Sequence, residues 1–334
     1  MDAVSYCTTG RHDDADRQAF HLMAALDPRI VARIARTAGR VGIIINEHTL
    51  GRDETVLLVD ALSRWFEFIA LDDLPARLES PRRTPFCLLT FDDGKKSNAT
   101  VTAPALRRLG VPAVFYVVSD FLSQEDPLWF DAYDALMERF ETTPPGLERD
   151  ALKKLPHKIR MARLRHEIDR LGVSVPTSED VQPMSWDEAR RLAAEGFAIG
   201  AHGVSHAILT RESRETAFHE IADSLARVSR ELGEPCRSFA FPNGNYDAAL
   251  SRYAAACGAT TVMTTDPTWV DGRTPLWCLP RIQLYGSSDP RHALLKIALA
   301  AVPGALLNPD GTGRSYYSTR RAFREAGKWE APRA

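Results

Sequence analysis

Short apolar runs that recur between longer amphipathic ones are what most limits the folds open to this chain. Residues 41–45 (VGIII) and 113–118 (AVFYVV) are continuously apolar instead of alternating, and 66–71 and 86–91 (FCLLTF) are nearly so, each broken by one polar residue, Glu67 and Thr90. That is the pattern of parallel strands covered on both faces. Weaker runs of the same kind stand at 197–200, 238–241, 260–264 and 281–284. Helical spacing fills the intervals. Residues 98–109 end at Gly110 with Pro112 just beyond, Ser185 and Glu188 form a capping box for a helix stopped by Gly196, and residues 215–232 are closed by Gly233. Strand–helix alternation on this scale predicts an α/β fold, an irregular (β/α) barrel of seven or eight strands, TIM-like but distorted.

One stretch breaks the rhythm. Residues 123–183 are charged, helical and punctuated by TTPPG, which reads as a helical insertion in one βα connection. The expected organisation is an N-terminal helical extension over 1–40, a barrel over 41–290 that includes the 123–183 insertion, and a C-terminal helix and tail over 291–334.

Composition excludes several classes. With 42 Lys+Arg against 44 Asp+Glu the net charge is −2, too little positive charge for a general nucleic-acid binder. The five cysteines are scattered and form no CxxC pair, so neither a disulfide framework nor a thiolate metal site is expected. Cys87 and Cys236 read as packing or loop residues. The first residues carry acids where a secretory leader needs a basic and then an apolar segment, so a cytoplasmic, reduced protein is expected. Residues 293–307, interrupted by Lys296 and Pro303, are too short to span a bilayer and leave open only a peripheral membrane contact.

Two strand ends carry candidate chemistry. LLTFDDG (88–94) ends a predicted strand in two adjacent carboxylates, Asp92 and Asp93. Asp-Asp-Gly is also ordinary turn material, but in a barrel the C-terminal strand ends line the active-site mouth. IGAHGVSH (199–206) sets His202 and His206 four apart after another predicted strand. On a helical turn that spacing puts two imidazoles on one face, where they can grip a cation; two surface histidines are the plain alternative. An Asp with two His leaves coordination positions open for water and substrate.

In combination, LLTFDDG, GVPAVFYV, SWDEARRLAAEGFAIGAHGVSH and FAFPNG resemble the polysaccharide deacetylases of carbohydrate esterase family 4, the NodB-type group. The resemblance runs over about residues 41–284 and implies a metal-dependent enzyme on a distorted (β/α) barrel. It implies that Asp92 is the general base and that Asp93, His202 and His206 hold one divalent ion, zinc first, with cobalt, nickel or manganese as alternatives. It also implies a groove wall at Pro242, Asn243 and Gly244 whose backbone N–H near Asn243 binds an oxyanion.

The departures are specific. Gly203 stands where the family commonly has Thr, Ala240 where many members have Arg, and the late histidine motif is not recognisable after Arg281. His48, in IIINEHTL, instead matches the layout of exopolysaccharide deacetylases whose N-terminal motif supplies that histidine, with Glu47 at the usual Tyr position. His48 is therefore the expected proton donor, and Arg281 is a candidate to orient Asp92, against a plain structural ion pair. Trp129 is a candidate for stacking on a sugar ring, against a core contact of the insertion as the plainer reading, with Trp269 and Tyr246 weaker candidates of the same kind. The expected activity is removal of an N-acetyl group from an amino sugar in a polysaccharide or saccharide intermediate. Alternatives are an O-acetyl esterase or deformylase on a lipid-linked sugar, a non-catalytic sugar-binding relative, and a two-His, one-carboxylate Fe(II) oxygenase.

Overall fold

The computed structural model describes residues 39–80, 82, 84–124, 127–284 and 290–301. The extension expected over 1–40 and the tail beyond 301 therefore lie almost wholly outside the described residues. The strands are β1 (Arg40–Glu47), β2 (Glu67–Phe68), β3 (Phe86–Phe91), β4 (Ala113–Val117), β5 (Ala198–Ala201), β6 (Ser238–Ala240), β7 (Thr261–Met263), β8 (Val270–Asp271) and β9 (Ile282–Gln283). They form one sheet in the order β7-β6-β5-β4-β3-β1-β8, with β2 on β3 and β9 on β1. Every pairing is parallel except β1 with β8. The sheet curls into a mixed α/β half-barrel, the distorted (β/α) barrel that the apolar runs predict.

The runs are continuous because both sheet faces are covered. Ile43, Ile45, Leu89, Phe91, Phe115 and Val117 pack beneath the outer helices. The alternate residues Ile44, Leu88, Val114 and Tyr116 fill the barrel interior with Met263 and Leu279. Burying each such side chain contributes roughly 1.5–3 kcal/mol, so a polar substitution on either face is costly. Gly200 shows how tight the interior is. A β-carbon there would overlap the Tyr116 ring; its absence lets Tyr116 reach Ser238 Oγ at 2.7 Å.

Some expectations shift in detail. The run at 66–71 gives a strand of only two residues, Glu67–Phe68, and then a 3-10 turn over Leu71–Asp73. β8 was not anticipated, because two residues are too few to carry a periodic signal. The capping box is present: Ser185 Oγ accepts from Glu188 N at 3.2 Å and Glu188 Oε2 accepts from Ser185 N at 2.7 Å.

Between β4 and β5 lie helices Trp129–Met137, Arg149–Lys153 and His157–Leu171. They share a small core of their own, built on Trp129, Tyr133, Leu136, Leu152 and Leu164. The helix Pro290–Ala300 packs on helix Arg52–Ser63. Its buried stripe, Ala293, Ile297 and Ala300, joins the core layer between the sheet and the outer helices. Among the described residues, no helix is long and apolar enough to cross a membrane.

Candidate metal centre and active site

The candidate residues meet at the C-terminal ends of β1, β3, β5 and β6. After β3 the chain turns through Asp93 (φ 77°) and Gly94 (φ 76°), both left-handed. Asp92 and Asp93 thereby leave neighbouring Cα atoms toward different partners.

The two histidines do not lie on a helical turn, as their spacing alone suggested. His202 is tied to the sheet end, its N donating to Val117 O at 2.9 Å. The chain then loops through Gly203 (φ 80°) to His206 (φ 58°). Both are buried, at 1% and 4% exposure, which removes the reading as surface histidines. Glu220, from helix Arg214–Leu232, braces this loop by accepting from Val204 N (2.8 Å), Ser205 N (3.0 Å) and Ser205 Oγ (2.6 Å). Gly203 also has a local reason. A β-carbon there would stand 3.1 Å from Glu220 Oε2 and 3.2 Å from Pro242 Cγ, in a backbone conformation that disfavours side chains.

His206 Nε2 lies 3.3 Å from Asp93 Oδ1, and His202 Nε2 lies 3.7 Å from the same oxygen. The His202 Nδ1 to Ala240 carbonyl contact of 2.9 Å requires a proton on Nδ1 and leaves the Nε2 lone pair toward Asp93. Both Asp93 oxygens are buried and accept no hydrogen bond of adequate geometry. A buried carboxylate without a well-formed hydrogen bond, set beside two imidazoles, is a donor set that a divalent cation satisfies. The three residues fit one ion, with ligand atoms within 4.8 Å of one another.

The electrostatics agree with that donor set. Burial would raise the Asp93 carboxyl, but His48, His206 and Lys95 outweigh it and hold the group ionised, below the usual carboxylate range. Burial, only partly opposed by Asp92 and Asp93, pushes His202 down to about 4, so its imidazole is neutral at pH 7.

Asp92 has a different partner. Arg281 NH1 and NH2 donate to its two oxygens at 2.7 and 2.8 Å. The same guanidinium donates to Thr90 Oγ1 (3.1 Å) and Thr264 O (3.0 Å) and is 0% exposed. Burial raises the Asp92 carboxyl, yet the charges of Arg281 and then His202 bring it below its ordinary value. Arg281 thus enters from the start of β9 to reach a carboxylate that Ala240, on β6, is too short to touch. His48, just past β1, lies close enough for its charge to act on both Asp92 and Asp93. The Asp92 backbone N donates to Glu47 O at 2.9 Å and joins the two strand ends. The turn Pro242–Gly244 follows β6, with Asn243 left-handed (φ 56°) and Pro242 against the Gly203 loop.

Trp129 packs mainly within the insertion. It is 2% exposed in the insertion core, with Arg160 4.7 Å and Arg149 5.8 Å from its ring centroid. One edge reaches a half-open recess of about 130 Å³ that Ser205, Phe121, His157 and Met161 also line. Trp269, at 1% exposure, donates from Nε1 to Ile297 O at 2.7 Å, and Tyr246 donates to Asp266 Oδ2 at 2.6 Å. Both serve packing. Cys87 and Cys236 are buried, and burial pushes their thiols up, Cys236 to about 11.

Three contacts escaped the sequence. Glu220 was detectable in principle, since it interrupts the buried stripe Ala217, Ile221, Ser224, Leu225 and Val228 of its helix. The Lys95–Asp131 ion pair and the edge contact of Phe130 with His206, at 5.2 Å between centroids, have no signal in spacing.

Fold and centre together define a class: an α/β barrel whose strand ends hold a two-histidine, one-carboxylate cradle beside a second, arginine-clasped carboxylate. The polysaccharide deacetylase family model matches residues 79–262, more than half of the 334-residue chain. The chain belongs to the polysaccharide deacetylase family, and membership supports a hydrolytic enzyme that deacetylates a sugar. No curated protein sequence matches it. Among solved structures it is similar to the Streptococcus pyogenes deacetylase PplD in complex with acetate (15% identity, TM-score 0.54, 77% of this chain and 97% of that one). It is similar also to IcaB from Ammonifex degensii (17%, TM-score 0.54, 77% and 98%). A third is the BpsB deacetylase domain from Bordetella bronchiseptica (17%, TM-score 0.51, 74% and 97%). At such identities the likeness is one of fold.

Proposed function

We propose that the protein is a metal-dependent deacetylase that hydrolyses an N-acetyl group on an amino sugar. Asp93, His202 and His206 would hold one divalent ion, zinc by preference over cobalt, nickel or manganese. The observation that carries this reading is the divided fate of adjacent carboxylates. Arg281 clasps both oxygens of Asp92, while both oxygens of Asp93 lack hydrogen bonds and face two imidazoles. An ion held there supplies Lewis acidity, acidifying a water and polarising an acyl carbonyl.

The chain's own groups then have defined tasks. Asp92, kept ionised and fixed in plane by Arg281, takes a proton from the attacking water. An amine is too basic to depart unprotonated, so His48 gives a proton to the sugar nitrogen as the C–N bond breaks. The products are acetate and a free amino sugar. The backbone N–H near Asn243 donates to the oxygen that gains negative charge. In this reading the barrel over 41–290 is the catalytic unit, with 123–183 as its insertion and the 1–40 and 291–334 segments flanking it.

The test is acetate release by the zinc-loaded protein from N-acetylated and O-acetylated oligosaccharides, with Asp92→Asn as the blank. Release from the N-acetylated set alone is expected. Release from O-acetyl esters alone would replace the amidase by an esterase. Silence on every substrate from protein with metal bound would overturn the reading.

A further inference from the structure

Helix Trp129–Met137 of the insertion reaches the centre at two points. Phe130 sets its ring edge-on to His206. One residue on, Asp131 accepts a hydrogen bond from Lys95 Nζ. Lys95 follows the Asp93–Gly94 turn directly and is only 2% exposed. Its ammonium also sits 5.0 Å from the Phe130 ring centroid and 5.4 Å from that of Phe121, so no water competes for it on those sides.

This placement has a sign problem that the pair solves. A buried ammonium two residues from a metal-binding carboxylate repels any cation bound there. A lone buried carboxylate at the Asp131 position would do the reverse and add a fourth candidate ligand to Asp93, His202 and His206. A catalytic ion with three protein ligands must keep positions open for water and substrate. Burying an ion pair is a weak source of stability, so a pair in this place is better explained by what it does to the centre.

We propose that Lys95 and Asp131 are a positioning pair: Asp131 cancels the repulsion of Lys95 on the metal, and Lys95 keeps Asp131 out of the ligand set. The insertion is then a fixed part of the centre and supplies the balancing charge. The inference rests on the metal-dependent reading of the preceding subsection.

The two partners predict opposite signs, which a packing role does not. The full chain is stripped with chelator and titrated with zinc by calorimetry at pH 8, for the wild type, Asp131→Asn, Lys95→Met and the double variant. Asp131→Asn is expected to weaken zinc binding roughly tenfold and Lys95→Met to tighten it roughly tenfold. That is the scale of one unit charge acting on a divalent ion in a partly screened interior. The double variant should return to within about threefold of wild type, and Asp131→Glu should restore wild-type affinity, as expected of a coupled pair. Melting curves of each chelated variant report the fold separately. Shifts of the same sign, no shifts, or a double variant as weak as the worse single one would overturn the inference and leave the deacetylase reading standing. A wild type that binds no zinc would overturn the metal-dependent reading, and this inference with it.

Discussion

Replacing Arg281 by Met tests the most enclosed charge in the centre. The guanidinium is 0% exposed and makes four hydrogen bonds, two of them to Asp92, itself 2% exposed. Methionine approximates the length of the side chain, so the main loss is the partner of a buried carboxylate. Removing one member of a buried ion pair costs about 3–5 kcal/mol. At about 2–4 °C per kcal/mol for a domain of this size, the melting temperature should fall by roughly 6–20 °C.

The pH dependence gives the sharper test. In the native protein burial raises the Asp92 carboxyl, but Arg281 and His202 together hold it below its ordinary value. A depressed folded pKa contributes stability that is present above the unfolded value, about 3.9, and is lost as pH falls through the folded one. Without Arg281 the largest opposition to burial is gone and the carboxyl rises above its ordinary range. The variant then takes up a proton on folding, and its deficit relative to wild type should shrink between pH 8 and pH 5. Thermal melts of chelator-treated protein at the two pH values measure this directly. A melting temperature within about 2 °C of wild type at pH 8, or a deficit equal at both pH values, would refute the reasoning. Arg281→Lys keeps the charge but not the two-point grip, and should fall between the two.

Other substitutions separate the remaining roles. His202→Ala removes the imidazole whose tautomer is set by the Ala240 carbonyl, and bound metal measured by elemental analysis should drop from one ion per chain to none. His48→Gln should leave metal content unchanged and lower kcat on an N-acetyl substrate by about 10²–10⁴-fold. Its effect on the acetyl ester of an acidic alcohol should be much smaller, because that leaving group needs no proton; equal losses on both would remove His48 as the donor. Gly203→Thr places a β-carbon against Glu220 and Pro242 at φ 80°, and urea unfolding should show a loss of about 1–3 kcal/mol.

The strand runs were legible because a parallel strand buried on both faces leaves few polar residues, and β1, β3 and β4 have none of their side chains exposed. A short element leaves no such signal: β8 is two residues long and is set by its neighbours. Asp92, Asp93, His202 and His206 could be singled out because each follows a strand in a motif of adjacent residues. The Arg281–Asp92 clasp, across a sequence separation of 189, could be suspected but not fixed from spacing. The link from Lys95 to Asp131 crosses into the insertion, where no local pattern states which face meets the barrel. Trp129 stayed open between a sugar contact and a core contact for a related reason. An aromatic in an insertion looks available to a ligand until the insertion proves to have a core of its own.

Backbone strain is the property that joins these residues most closely. Among the described residues, Asp93, His206 and Asn243 are the only non-glycine positions with positive φ. They come from three different strand-end loops, of which those of Asp93 and His206 meet directly and that of Asn243 packs through Pro242 against the histidine loop. Asp93 and Asn243 are each followed by a left-handed glycine, Gly94 and Gly244. Two consecutive left-handed residues reverse the chain in the shortest distance, and Asp-Gly and Asn-Gly are the pairs that tolerate this best. Reading Asp-Asp-Gly as turn material therefore does not exclude a role for its carboxylates. The turn is how a strand end presents one carboxylate to Arg281 and the next to two imidazoles, and its cost is borne by a scaffold that clasps Asp92 on one side and braces the histidine loop through Glu220 on the other.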